Sequence, residues 1–340
     1  MFIGRNYPLK DFLVWTRREI FFLFLLALVP TVLFHLLHWK WLAIPWLPIA
    51  MIGTAVAFIV GFKNNASYDR AWEARKAWGA IINASRAWGI LVNDYVTNRH
   101  AVSPLSESEL RETRRQLIYR HLAWLTALRY QLREPRAWES VSKAHNAEYR
   151  DSHYAVPEHT DDICDVIAPH LSDEECEYLQ NKKNKAAQLI SLQSRQLREL
   201  LEQGLIEDFR HMELEKLLLE FYNQQGVCER LKNTPYPRQF ASLNLFFVRL
   251  FIFMVPFGML QEFNQMGGHF IWLNIPFSAL VCWVFHTMEK IGEVTENPFE
   301  GSPNDVPMMA LTRNIEIDLK DMLDETDIPP ALQPVNSILM

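Results

Sequence analysis

The sequence predicts an all-α, multi-pass membrane fold: four transmembrane helices in one bundle, continuous with a large soluble helical region. Three observations carry this. Residues 20–39, 41–62 and 263–288 contain no Asp, Glu, Lys or Arg, and residues 240–261 hold only Arg249. Each block is about 20 residues or longer, which at ~1.5 Å rise per residue covers a hydrocarbon core of ~30 Å. The charged remainder repeats its apolar residues at helical spacing, whereas alternating apolar–polar runs are short and no Asn-Gly hairpin signal occurs.

The first two spans occupy residues 20–62. Residues 1–19 precede them as a polar segment; the first apolar block starts too late and runs too long for a secretory signal. Pro30 lies within span one and should bend it, while Pro45 and Pro48 fall in the first turns of span two, where a missing amide proton matters little. Trp39, Trp41 and Trp46 cluster between the two spans, as indoles do at a membrane–water boundary. Spans three and four occupy residues 240–289, with Pro256 inside span three and Trp272 at the opening of span four.

Basic residues give the orientation. Arg5, Lys10, Arg17 and Arg18 precede span one; Lys63, Arg70, Arg75 and Lys76 follow span two; Arg230, Lys232 and Arg238 precede span three; Lys290 follows span four. The two short loops on the other side offer only Lys40. Because Lys and Arg resist translocation, both termini and residues 63–239 are expected in the cytoplasm, with the chain in the inner or plasma membrane.

Within residues 63–239 helices dominate. One helix is expected over 64–96, with no Pro or Gly separating it from span two. A second starts at Ser106, a capping-box position, and runs to about Arg133; further ones are expected over 172–201 and 206–228. The stretch between 134 and 169 is mixed. After span four, residues 290–340 comprise a turn-rich stretch, a helix over 310–323 and a Pro-containing tail too polar to bury itself, which should lie against the rest of the protein or a neighbouring subunit.

The chemistry is sparse. A net charge of −6 argues against nucleic acid. No nucleophile–base pair, phosphate loop or metalloprotease motif is present, so an enzyme is not expected. The spacings of His153, His159, Cys164, His170 and Cys176 do not fit a zinc site, and no cofactor is required. Arg249 stands out: at mid-membrane it would cost roughly 2.5–3.5 kcal/mol facing lipid, so it should face protein or water, with Glu262 or Glu289 as candidate partners.

Several motifs carry a resemblance. The run GFKNNASYDRAWEARKAWG at 61–79, CERLKNTPYP at 228–237, VPFG at 255–258, ENPF at 296–299 and Asn304-Asp305 together resemble bestrophins of the bacterial branch, in the family's order and at both membrane pairs. The resemblance implies a homopentameric ion channel whose axial pore conducts small monovalent ions, anions such as chloride before cations. A cation-selective homologue and a non-channel signalling or scaffold protein remain the alternatives.

Thr54, Phe58 and Phe62 recur at i, i+4 and i+8 and so share one helical face. Periodicity leaves the phenylalanines free to pack against lipid or another helix; the resemblance makes the three the pore neck, where rings of phenyl groups gate by expelling water. Thr54 departs from the usual large apolar residue at its level. Asn64 and Asn65 would line the pore below the neck, and Tyr236 would narrow a cytoplasmic aperture. Glu300 and Asp305 match the place where some animal bestrophins hold calcium, yet they form a thinner set than the six to eight oxygens calcium takes. Implied partners are further copies of the chain, the lipid bilayer and permeant ions.

Overall fold

The computed structural model describes all 340 residues. It is helical throughout; the β structure is limited to two isolated bridges. In order the helices are α1 (Leu9–Trp15), α2 (Arg17–Leu36), α3 (Trp46–Tyr95), α4 (Glu107–Arg133), α5 (Ala144–His153), α6 (Ile163–Ile167), α7 (Asp173–Gln180), α8 (Lys185–Glu202), α9 (Asp208–Asn233), α10 (Arg238–Gln265), α11 (Asn274–Thr295) and α12 (Met308–Met322). Four of them, α2, the first half of α3, α10 and α11, are long and apolar enough to cross a membrane.

The 50-residue α3 is the organising element. At 1.5 Å per residue it extends about 75 Å, so its first half lies in the apolar bundle and its second half in the soluble one. Nothing between Phe62 and Trp78 interrupts the backbone, and the helix runs on without a break as the sequence predicts.

Each half buries a different side of α3. Among the apolar helices, Ile49, Val56 and Val60 pack with Val248, Phe251 and Val255 of α10 and Cys282 of α11. Gly53 lets this packing close, since a Cβ there would come within 2.6 Å of the Phe251 ring. In the soluble half, Trp78, Ile81, Trp88 and Val92 enter a larger core with Trp124 of α4, Leu197 of α8 and Phe221 of α9. His121 stands in that core between Trp124 and Phe221, its ring centroid 4.4 Å from that of Phe221.

Helix ends follow local chemistry. Ser106 accepts from the Glu109 amide while Glu109 reaches back to the Ser106 amide, the predicted capping box. The single helix expected over 172–201 is instead two. Asn184 breaks it: its side chain accepts from the Ala187 amide at 2.9 Å and starts α8 afresh. Such a side chain competes with the helical backbone, which is why asparagine caps better than it continues. The helix expected to end at 228 continues as α9 to Asn233, because Leu231 and Lys232 are buried rather than exposed. Residues 1–19 also contain a short helix, α1, that periodicity over so few residues did not reveal.

Both termini gather at the same end of the molecule as the soluble helices. Phe2 bridges Ile338, and Ile338 packs with Tyr154 and Val156. The Phe2 amide donates to the Pro303 carbonyl and the Ala310 amide to the Met340 carbonyl, both at 2.7 Å. The polar tail thus folds back onto its own chain.

Candidate ion pathway along the third helix

From Leu47 to Lys76 α3 leaves one face uncovered. Leu47, Met51, Thr54, Phe58, Phe62, Asn65, Asp69, Trp72 and Lys76 are all exposed, and they follow one another at three- and four-residue steps. Such steps keep side chains on one face of a helix. Phe58 and Phe62 are 62% and 69% exposed, although they lie in an apolar block between buried Val56, Val60 and Lys63. The stripe passes without interruption from the membrane half to the soluble half.

Thr54, Phe58 and Phe62 therefore share a face, as their spacing predicts. The Thr54 hydroxyl donates to the Ala50 carbonyl of its own helix at 3.0 Å. Its proton is committed within the helix.

Asn64 and Asn65 part company. Asn65 is on the stripe, whereas the Asn64 Oδ1 is buried against Gly292 of α11, so close that a Cβ on Gly292 would fall 2.1 Å from it. That oxygen has no hydrogen-bond donor. Successive helical residues point about 100° apart, and two adjacent amides cannot both face one way. The expectation that both line one surface is corrected to Asn65 alone.

Where α3 leaves the apolar bundle it is bolted to α11. The Lys63 ammonium pairs with the Glu289 carboxylate, the Ser67 hydroxyl donates to the Gly292 carbonyl at 2.9 Å, and the Arg70 guanidinium donates to the carbonyls of Glu296 (2.9 Å) and Leu231 (2.8 Å). Sequence reading missed the Lys63–Glu289 pair, because residues 226 apart leave no local pattern. A lysine and a glutamate each set at the end of a span were the available signal.

Glu289 is thus not a partner for Arg249, and Arg249 has no carboxylate within ion-pair distance. It lies in a crevice between α2, α10 and α11, away from the α3 stripe. That crevice includes Arg18 and Glu19 in the first turn of α2, so the guanidinium shares its surroundings with the end of the bundle rather than its middle. Tyr236 sits half-buried in the link between α9 and α10.

Glu300 and Asp305 are both buried, and protein donors surround them. Glu300 accepts from the Ser140 amide and hydroxyl, each at 2.9 Å. Asp305 accepts from Arg133 (2.9 Å), the Gly301 amide (2.6 Å) and the Ser302 hydroxyl (2.6 Å). Burial and the neighbouring Asp305 push the Glu300 carboxyl up to about 8. A carboxyl so placed favours its protonated form. No group of three or more His, Cys, Asp or Glu side chains converges.

The sequence profile of the bacterial and fungal bestrophins matches residues 14–321, nearly the whole of the chain. The chain belongs to the bestrophin family. Among its relatives, the voltage-dependent anion channel-forming protein YneE of Escherichia coli (strain K12) is 28% identical over 288 residues, covering 84% of this chain and 80% of that one. The voltage-dependent anion channel-forming protein RSc3414 of Ralstonia nicotianae is 26% identical over 316 residues, covering 91% and 88%. The crystal structure of a bacterial bestrophin homolog from Klebsiella pneumoniae superposes with a TM-score of 0.73 at 20% identity, covering 90% of this chain and 97% of that one, a shared fold. With its four apolar helices, this bestrophin is an integral membrane protein.

Proposed function

We propose that this bestrophin is an anion channel, formed by five copies around an axis lined by the exposed stripe of α3. The carrying observation is that stripe: a single subunit leaves Phe58 and Phe62 open to solvent on the same face as Asn65. Large apolar side chains exposed in line with polar ones fit a surface that meets its own copies across water. The names of the relatives support anions as the permeant class.

In this reading Thr54, Phe58 and Phe62 form a neck in which an ion sheds water without a polar substitute, Asn65 lines the space beneath, and Tyr236 borders the exit. The end bearing α4 to α9 and both termini faces the cytoplasm of a bacterial inner membrane, consistent with the basic residues gathered there. Glu300 and Asp305 serve as internal acceptors that fix the 300–305 turn, a role that needs no calcium.

One observation favours cations. Asp69 continues the stripe a turn beyond Asn65, and a ring of carboxylates below the neck would draw cations in. The sign of the reversal potential separates the two. Purified protein in planar bilayers under a chloride salt gradient should give discrete currents reversing toward the chloride potential; reversal toward the cation potential would transfer the assignment to Asp69. Protein that inserts yet stays electrically silent would end the channel reading.

A further inference from the structure

Arg249 lies in a crevice of about 470 Å³ bounded by Arg18, Glu19, Phe22 and Leu26 of α2, Phe253 of α10 and His286 of α11. Its surroundings carry surplus positive charge. Lys290 is taken by Glu19 at 2.8 Å, and the single Glu148 carboxylate is shared between Arg17 and Arg18. Within the crevice itself two cations, Arg18 and Arg249, stand with one carboxylate, Glu19, which Lys290 engages from outside; Arg249 is the cation that no carboxylate reaches.

Apart from Glu19 and His286, the rest of the crevice is apolar. Phe22 and Phe253 are exposed beside the arginines, 62% and 55% respectively, on helices long enough to span the membrane. A guanidinium offers a planar fork of donors that matches phosphate oxygens, and basic pockets between membrane helices suit acidic headgroups. A soluble phosphate ion would use the arginines but leave the phenyl and leucyl walls without a purpose.

We infer that this crevice binds an anionic phospholipid, with its phosphate on Arg249 and Arg18 and the start of one acyl chain along Phe22, Leu26 and Phe253. The lipid neutralises a charge that the protein leaves unpaired and fills the gap between α2 and α10. The site requires the chain to span a bilayer but does not require conduction, so an electrically silent protein would leave it standing.

Full-length protein in nanodiscs of phosphatidylcholine, with or without phosphatidylglycerol, tests this by native mass spectrometry after a delipidating wash. Wild-type protein should retain phosphatidylglycerol in preference to phosphatidylcholine, and Arg249→Gln should lower that retention about fivefold, the factor expected of one basic residue at an anionic surface. Arg249→Lys should keep part of it, and millimolar inorganic phosphate should displace none. Equal retention of both lipids by the wild type, or unchanged retention in Arg249→Gln, would overturn the site. Displacement by inorganic phosphate would make it a free-anion site and refute the lipid. Thermal unfolding controls for folding; should Arg249→Gln fail to assemble, Arg18→Gln carries the same comparison.

Discussion

The Lys63 ammonium and the Glu289 carboxylate are paired out of reach of solvent, their side chains 3% and 5% exposed, where α3 leaves the apolar bundle beside α11. Together with Ser67 and Arg70, the pair fixes the angle at which α3 enters the soluble half. Removing one partner of such a pair strands a buried charge, which costs far more than the intact pair contributes.

Lys63→Met should therefore destabilise the protein by about 3–5 kcal/mol, and Glu289→Met should do likewise. The double variant, with no charge left to strand, should regain most of that loss. Denaturant titration of the three variants checks this; a double variant as unstable as the singles would mean that the pair does not act as a unit.

Phe58→Ala and Phe62→Ala should behave differently. Both rings are exposed in the subunit, so unfolding should shift by no more than about 0.5 kcal/mol, while single-channel recordings show a larger open fraction. Unaltered currents in the double variant would place the gate elsewhere.

His121 titrates against stability on the acid side. Burial lowers its pKa from 6.5 to about 3, and its Nε2 stands 2.9 Å from the Ser85 hydroxyl oxygen. That hydroxyl also donates to the Ile81 carbonyl at 2.7 Å, so it accepts from the imidazole Nε2–H, and burial keeps the ring neutral. The unfolded chain then binds the extra proton first. Stability is full above about pH 6.5 and falls as the pH drops toward 3. His121→Gln should flatten that limb in unfolding curves taken across the window.

Glu300 has the opposite sign. Its folded pKa of about 8 lies above the unfolded value of 4.5, so its share of stability is present below pH 4.5 and is lost as the pH rises through 8. Glu300→Gln should make the protein more stable than the wild type at alkaline pH, with little change at pH 5. An alkaline limb identical to the wild type would show that Asp305 and Arg133 hold the turn without it.

Much of the architecture was legible in order. Blocks free of charge gave the four spans, the unbroken run from Phe62 to Trp78 gave the long α3, and Ser106 with Glu109 gave the start of α4. These are local signals, since hydropathy, helix continuity and capping are decided within a few turns. The break at Asn184 was also written locally, but the charged residues around it followed a helical pattern on both sides and hid it. The candidate neck was legible as a period of four. That Asn64 leaves the stripe for Gly292, or that Arg249 shares a crevice with Arg18, was not.

By itself, then, the sequence determined which segments are apolar enough to cross a bilayer, which face of α3 carries Thr54, Phe58 and Phe62, and where helices start. Only the tertiary structure decided which charges meet: buried Lys63 with Glu289, buried Arg133 with Asp305, and exposed Arg249 with no carboxylate at all. The physical reason is range. Helical periodicity and hydropathy act between neighbours along the chain, whereas an ion pair or a crevice depends on how helices distant in sequence are brought side by side, and no local pattern records that.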